Sequence, residues 1–388
     1  MARKVLVAGV GMTPFAPLGG LVSAASLAQR AIRAALDDAR VDVDLIDQAY
    51  SAYVYGGVGL GDSVLATAGL GGIPLFSSRD GCAAGTAAFQ QARQALLAGE
   101  VECALVVGFD AMPAGISSNQ FFALDEVPQP DWDALLGRDE PLAALQRRQF
   151  PAALYAAQTH WLLTHMNIHE DSFARVANRA RQQAGLNPFA LMPAAEDGTG
   201  WLPPYLCRPA SGAAALLLCT DEFARRYGLR AEVAVLTSVR GSDTAAELEG
   251  INVLDVLGRA VTRRLAQQAY EAAGVGAEEL DLVELHDQSI GDHMITSAAL
   301  GLCAEEQINR FVCEGLNSQG RRVSVCPSGG LLGRGHAPGA TGVAQLVEIV
   351  WQLRGEAKSR QVEGARTALQ QSSSLGRAVS VSILQSIR

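Results

Sequence analysis

Two short stretches of the chain carry residues that could do chemistry together. Gly81-Cys82-Ala83-Ala84-Gly85 opens an apolar helical run, and Gly335-His336-Ala337-Pro338-Gly339 opens another. A cysteine at a helix start feels the positive end of the helix dipole, which favours thiolate over thiol. The free N–H groups of that first turn can also hold a developing oxyanion. Read alone, Cys82 could equally be a small buried core residue. The second stretch changes that balance: both share the frame G-X-A-x-G, with Cys in one and His in the other. Each is followed by a helix with Gln early and Leu near its end. Such a match implies an internal duplication that places one reactive group at each helix start. A third group, His286, follows the expected strand Leu280 to Leu285 in His286-Asp287-Gln288-Ser289. Strand C-termini are where ligand sites gather in α/β sheets, although a structural histidine is also common there. Cysteine with histidine suits acyl transfer: the thiolate takes the acyl group and imidazole moves protons or steadies an oxyanion. A protease-like Cys–His pair is the rival catalytic class, and it leaves the two matched helix starts unexplained.

The elements that must position these groups alternate. Lys4 to Gly9 reads as a buried strand, Ser23 to Ala39 as an amphipathic helix with a Ser cap, and Gln48 to Tyr55 as a strand. Thr86 to Gly99 reads as a buried helix, followed by an apolar strand, Cys103 to Phe109. Strands follow at Ser211–Thr220 and Glu232–Val239, a helix over Asn252–Ala273, and a last strand at Ala378–Leu384. Continuous apolar strands between helices argue for an α/β core. Between Met112 and about Pro204 the character changes: Pro128, Pro130, Trp132 and Pro141 interrupt it, then helices follow at Ala152–Thr164 and Glu170–Ala184. This stretch reads as an insertion lying over the core. His165 and His169 within it stand at a metal-compatible spacing, but two imidazoles do not complete a site, and no metal is expected. Gly9-Val10-Gly11 lacks the third glycine of a dinucleotide loop. His293 is expected inside a helix, in a structural role.

The chain has 388 residues, 49% of them hydrophobic, and a net charge of −9. The acidic balance excludes nucleic acid as a partner class. Seven scattered cysteines without a C-x-x-C pair, and an N-terminus that enters a strand directly, lead to the expectation of reduced thiols in a cytoplasm. No run is long enough to span a membrane.

The chain resembles the thiolase superfamily, most closely the sterol-carrier-protein type and lipid-transfer-protein thiolases. The residues that carry the resemblance run along the whole chain. They are V-A-G-V-G-M-T-P-F near the start, A-Y-V-Y-G around 53, N-R-A-R-Q-Q-A-G-L-N-P-F-A at 178–190 and S-G-A-A-A at 211–215. V-E-L-H-D at 283–287, P-S-G-G-L-L-G-R-G-H-A-P-G-A-T-G at 327–342 and W-Q-L-R-G-E-A at 351–357 complete the set. The resemblance implies an α/β thiolase fold, five-layered αβαβα, from two duplicated βαβαβαββ halves plus an inserted loop domain. The N-terminal half is assigned to 1–111 and 205–230, the inserted loop domain to 112–204 and the C-terminal half to 231–388.

By the same resemblance Cys82 is the acylated nucleophile, His336 activates it and His286 helps hold an oxyanion or enolate oxygen. Gln288, Gly339 and Gly376 are assigned to the oxyanion and substrate pocket. Coenzyme A is a substrate, with no permanently bound cofactor. A homodimer or larger assembly is implied, with a small zinc-ribbon/OB-fold protein as a possible accessory. Two departures stand out. The nucleophile is preceded by Arg79-Asp80 rather than Asn-rich sequence. The second reactive cysteine of such enzymes is missing from both its known places, which here read Gln288-Ser289 and Gln371-Ser372-Ser373-Ser374-Leu375-Gly376-Arg377. The reading is a CoA-dependent acyltransferase that cleaves or forms a β-ketoacyl-CoA, with an unusual aromatic or branched acyl group. The alternatives are a retro-aldolase acting on a β-hydroxyacyl-CoA and a non-catalytic acyl-CoA-binding subunit.

Overall fold

Strand β1 (Val5–Met12) is buried along its whole length, as its unbroken apolar sequence demands. Helix α1 (Ala24–Ala39), capped by the Ser23 hydroxyl, lays Leu27, Ala28, Ala31, Ile32 and Ala35 onto it. A Cβ at Gly9 would lie 2.2 Å from the carbonyl oxygen of Ala35, and one at Gly11 2.5 Å from that of Ala31. The Gly-Val-Gly run therefore lets a helix approach a strand; it is no phosphate loop. The computed structural model describes residues 3–114, 150–191, 206–248, 252–374 and 378–388.

Further along come β2 (Gln48–Ala52), β3 (Leu75–Ser78), α2 (Ala84–Ala98) and β4 (Cys103–Asp110). The insertion contributes α3 (Phe150–His165) and α4 (Glu170–Gly185), and β5 (Gly212–Thr220) and β6 (Val233–Gly241) follow. Then come α5 (Arg259–Ala273), β7 (Leu282–Glu284), α6 (Ile290–Ala299), β8 (Ser324–Val325), α7 (Pro338–Leu353), β9 (Thr367–Ser374) and β10 (Ala378–Ser386). The single helix expected over Asn252–Ala273 is broken. A short turn of helix spans Val253–Val256, capped by the Asn252 side chain, and α5 begins after Gly258 at φ 92°. That left-handed backbone suits glycine and ends the first helix.

The strands form one mixed sheet in the order β3-β2-β4-β5-β1-β6-β10-β9-β7-β8. Counted outward from the β1–β6 seam, the second half repeats the first with every number raised by five. The pairing sense repeats as well: β2 is parallel to β3 and β4 as β7 is to β8 and β9, and β4–β5–β1 is antiparallel as is β9–β10–β6. The duplication seen in two pentapeptides thus extends to the topology of the halves.

Helices α2 and α7 lie between the halves, α1 packs outside β1 and β5, and α5 packs outside β6 and β10. That gives the helix–strand–helix–strand–helix order of the expected fold. Helix α7 is buried almost all round, as its apolar sequence requires. The fifth residues of the two pentapeptides meet where α2 and α7 cross: a Cβ at Gly85 would stand 2.9 Å from the carbonyl oxygen of Gly339. The described helices of the insertion share an apolar core with the second half, Leu162, Phe173 and Val176 joining Val283, Leu285 and Ile290. Its Pro128–Pro141 stretch lies outside the described residues.

Candidate active site

Cys82 sits in a 3₁₀ turn, Gly81–Ala83, that feeds directly into α2. Gly81 has φ 56°, and a Cβ there would press to 2.5 Å from the Ser374 hydroxyl on β9. His336 reaches the same point from the other half. Its loop is threaded beside residues 206–210, with the His336 N–H on the Arg208 carbonyl and its own carbonyl on the Ala210 N–H, both at 2.8 Å. His336 Nε2 lies 3.2 Å from Cys82 Sγ. Its Nδ1 lies 2.9 Å from the Thr341 hydroxyl, which gives its own proton to the Ala337 carbonyl. Nδ1 is therefore the protonated nitrogen, and the Nε2 lone pair faces the thiol.

His286 follows β7 and is held by its own N–H on Gln371 Oε1 at 3.0 Å. Its ring stands edge-on to that of His336, centroids 5.2 Å apart. Both His286 ring nitrogens are buried and without a hydrogen-bond partner among the described residues. One donor atom each of Cys82, His286 and His336 lies within 4.8 Å of the other two. Gln288 completes the cluster, with Nε2 3.6 Å from Cys82 Sγ and 3.3 Å from His336 Nε2. The Tyr155 hydroxyl on α3 donates to Gln288 Oε1, which turns the amide N–H₂ toward thiol and imidazole. The adjacent Asp287 points elsewhere, accepting from Leu331 N–H at 2.7 Å and pairing with His293 Nδ1 at 3.1 Å. His293 is thus a helix residue with a structural partner.

The thiol does not behave as its place at a helix start suggests. Burial, then the Asp110 carboxylate, push it up to about 12, and the Gln288 amide offsets only part of that. Removing a charge from water is the larger effect here. The Arg79–Asp80 pair that replaces the Asn-rich sequence spends its charge elsewhere. Asp80 pairs with Arg240 at 3.1 Å, and Arg79 stacks over Tyr53 and donates to the Val54 and Gly56 carbonyls. Burial and the Arg334 guanidinium hold His336 down at about 3. Burial, then His336 and Arg334, also hold His286 well below the usual imidazole range. Both imidazoles are neutral at rest, beside a protonated thiol.

Asp110, at the end of β4, accepts from Val54 N–H, Tyr55 N–H and Gly339 N–H at 3.0, 2.8 and 2.6 Å. Burial nevertheless raises it to about 6. Gly339 therefore has its N–H committed, and it acts by close packing: a Cβ would lie 2.6 Å from Tyr53 Cα. Gly376 lies outside the described residues. His165 is stacked on Trp161, and neither it nor His169 joins a cluster of three potential metal donors among the described residues.

Residues 5–191 match the family model for the thiolase N-terminal domain, and residues 248–386 match the thiolase C-terminal domain-like model. Human sterol carrier protein 2 is 33% identical over 397 residues, covering 98% of this chain and 72% of that protein. The chain belongs to the thiolase family. Another relative, the acetyl-CoA acetyltransferase of Methanothermobacter thermautotrophicus, is 30% identical and covers 95% of each chain. Two solved structures share the thiolase fold. The Ltp2-ChsH2(DUF35) aldolase superposes with a TM-score of 0.79 at 22% identity, covering 99% of this chain and 98% of that one. Human mitochondrial 3-ketoacyl-CoA thiolase in complex with CoA gives 0.71 at 17% identity, covering 99% and 98%. Among the described residues of this thiolase-family chain, no helix is long and apolar enough to cross a membrane.

Sequence reasoning missed Tyr155, Thr341 and Asp110. Thr341 stands one helical turn beyond the His336 loop, and a hydroxyl at that distance from a reactive histidine is a usable signal. Asp110, an acid closing an apolar strand, is another. Nothing local in the sequence marks Tyr155.

Proposed function

We propose that the protein is a CoA-dependent acyltransferase that cleaves or forms a β-ketoacyl-CoA through an acyl-Cys82 intermediate. The observation that carries this reading is the 3.2 Å approach of Cys82 Sγ to His336 Nε2, with the other imidazole nitrogen fixed by Thr341. In cleavage, Nε2 takes the thiol proton as sulfur attacks the 3-keto carbon. The bond between C2 and C3 then breaks, and its electron pair leaves on the CoA-bearing fragment as an enolate. His286, neutral and with one ring N–H to give, holds the enolate oxygen until C2 takes up the proton that His336 accepted from Cys82. The thiol of CoA then gives its proton to His336 and attacks acyl-Cys82; the Cys82 C–S bond breaks, the proton returns to Cys82, and the shortened acyl-CoA leaves. A thiol raised to about 12 gives this order a reason: proton transfer accompanies attack, and no standing thiolate is needed.

By the resemblance, Gln288 stands at the position of the sterol-carrier type's second thiol, and Tyr155 hydrogen-bonds to it. An amide and a phenol there favour an unusual acyl group, aromatic or branched, over a simple fatty chain. The relative crystallised with CoA supports the thioester substrate. Retro-aldol cleavage of a β-hydroxyacyl-CoA is the second reading. The missing second thiol favours it, and the poised Cys82–His336 pair speaks against it. Assembly follows from β3, an edge strand whose Phe76 is 44% exposed. Edge strands offer unpaired backbone groups to a second copy, which supports a homodimer. The fold neighbour named Ltp2-ChsH2(DUF35) aldolase joins two names, which supports a small accessory protein here as well.

The deciding experiment is incubation with short and aromatic acyl-CoAs followed by peptide mass analysis. One acyl group should appear on the Cys82 peptide and vanish in Cys82→Ala, while Cys326→Ala keeps it. Turnover of a β-hydroxyacyl-CoA by Cys82→Ala would establish the aldolase reading instead.

A further inference from the structure

The nucleophile cluster has the donor set and spacing of a different kind of site. Cys82, His286 and His336 offer one thiol sulfur and two imidazole nitrogens, each within 4.8 Å of the others. A tetrahedral zinc, with Zn–S of about 2.3 Å and Zn–N of about 2.0–2.1 Å, sets its donor atoms about 3.3–3.6 Å apart. The Cys82–His336 edge, at 3.2 Å, already has nearly that length. The widest possible edge, 4.8 Å, would need to close by about 1.2–1.5 Å, within the reach of a side-chain rotation.

His286 supplies the second, independent observation. It is 1% exposed, and neither ring nitrogen has a hydrogen-bond partner among the described residues. A buried imidazole with two unpaired nitrogens carries a desolvation cost that a ligand would relieve. Cys82 as a residue keeps some exposure, unlike His286 and His336. We propose that this cluster binds a thiophilic divalent cation, zinc by preference, as a reversible inhibitory site on the resting enzyme. On binding, the thiol proton leaves to solvent and sulfur forms the metal bond, while the two imidazoles bind through lone pairs. The Gln288 amide, whose N–H₂ now faces the cluster, must turn its oxygen inward. Tyr155 permits that turn, because a phenol hydroxyl can accept as well as donate. Sulfur and imidazole donors exclude Mg²⁺ and Ca²⁺, which prefer oxygen.

The test needs no substrate, so its failure would leave the acyltransferase reading standing. Metal-free full-length protein is titrated with CoCl₂ alone. A near-ultraviolet sulfur-to-cobalt band and strong visible bands of tetrahedral cobalt are expected, and added Zn²⁺ should bleach both while Mg²⁺ leaves them unchanged. Cys82→Ser should lose the near-ultraviolet band. His286→Gln, checked as folded by circular dichroism, should weaken cobalt binding by about tenfold or more. Cys326→Ala, in the separate buried Asp287–His293–Cys326 group, should match the parent. As a second readout in the unmutated protein, micromolar Zn²⁺ should slow iodoacetamide alkylation of Cys82, and a chelator should restore it. Absent bands, a sulfur band that persists in Cys82→Ser, or alkylation indifferent to zinc would overturn the proposal.

Discussion

The Thr341 hydroxyl decides which nitrogen of His336 faces Cys82. It accepts from Nδ1 at 2.9 Å only because its own proton is given to the Ala337 carbonyl, also at 2.9 Å. The resting site therefore presents a lone pair to the thiol, as a general base must. Thr341→Val removes that acceptor and lets the imidazole adopt the wrong tautomer. Single-turnover acylation of Cys82 should slow by roughly ten- to a hundredfold, less than the roughly 10²–10⁴ expected for His336→Ala. Thr341→Ser should restore most of the rate. An unchanged rate in Thr341→Val would show that tautomer control lies elsewhere.

Asp110 couples the stability of the site to the reactivity of its thiol. Its carboxyl is raised from 3.8 to about 6 in the folded protein, so the native state holds that proton more tightly than the unfolded chain. The corresponding stabilisation is full below the unfolded value and is lost as pH rises through about 6. Asp110→Asn should flatten this part of the stability profile. It should also cost about 1–3 kcal/mol, because an amide N–H₂ cannot accept from all three backbone donors. The same variant removes a negative charge that acts on Cys82. Alkylation of Cys82, slow at neutral pH in the parent, should shift its pH midpoint downward in Asp110→Asn, though burial keeps it above that of a free cysteine. A midpoint that stays put would mean that burial alone sets the thiol.

The exposed edge of the sheet predicts the state of assembly. Phe76 on β3 stacks against Tyr50 at 5.0 Å and remains largely open on its other side. Light scattering should give a dimer or larger for the parent, and Phe76→Glu should shift it toward monomer. A parent that is monomeric at micromolar concentration and fully active would refute this.

Legibility followed the physics of each element. Cys82 and His336 could be read from two matched pentapeptides because both must start a buried helix; the close α2–α7 crossing demands Gly85, and the backbone of Ala52, Tyr53 and Phe109 demands Gly339. The β7 strand and His286 could be read because Leu280, Leu282, Val283 and Leu285 give way to the wholly polar His286-Asp287-Gln288-Ser289. Strand β9 could not: Thr-Ala-Leu-Gln-Gln-Ser-Ser-Ser has no apolar alternation, yet it is buried along most of its length. Its polar side chains serve the site, with Gln371 holding the His286 backbone and Gln370 donating to Gln345 at 2.9 Å. The thiol's raised pKa was equally hidden, because burial is a tertiary property and the helix-start argument is local. Tyr155 depends on how the insertion lies across the second half, which no spacing within α3 reveals.

The missing second thiol gives the sharpest test of the chemistry. In thiolases of the type this chain resembles, that thiol moves the proton on the attacking carbon, and here Gln288 stands in its place. An amide neither takes nor gives a proton at neutral pH, and a lost acid/base group costs roughly 10²–10⁴ in rate. Acylation of Cys82 should therefore remain fast, while exchange of acetyl-CoA methyl protons with D₂O is slow. Gln288→Cys puts a thiol on the same side of Cys82 and His336, set back by two bonds from the native amide nitrogen, which lies 3.6 and 3.3 Å from them. That variant should raise methyl-proton exchange at least tenfold, by the same rough scale, with little change in acylation. His286→Ala should reduce carbon–carbon bond chemistry more than acylation, because it removes the group proposed to hold the enolate but not the base that serves the thiol. His336→Ala should damage both. Exchange that is already rapid in the parent and survives in His286→Ala would place the proton transfer on another residue, with the Tyr155 hydroxyl behind Gln288 the first to replace with Phe.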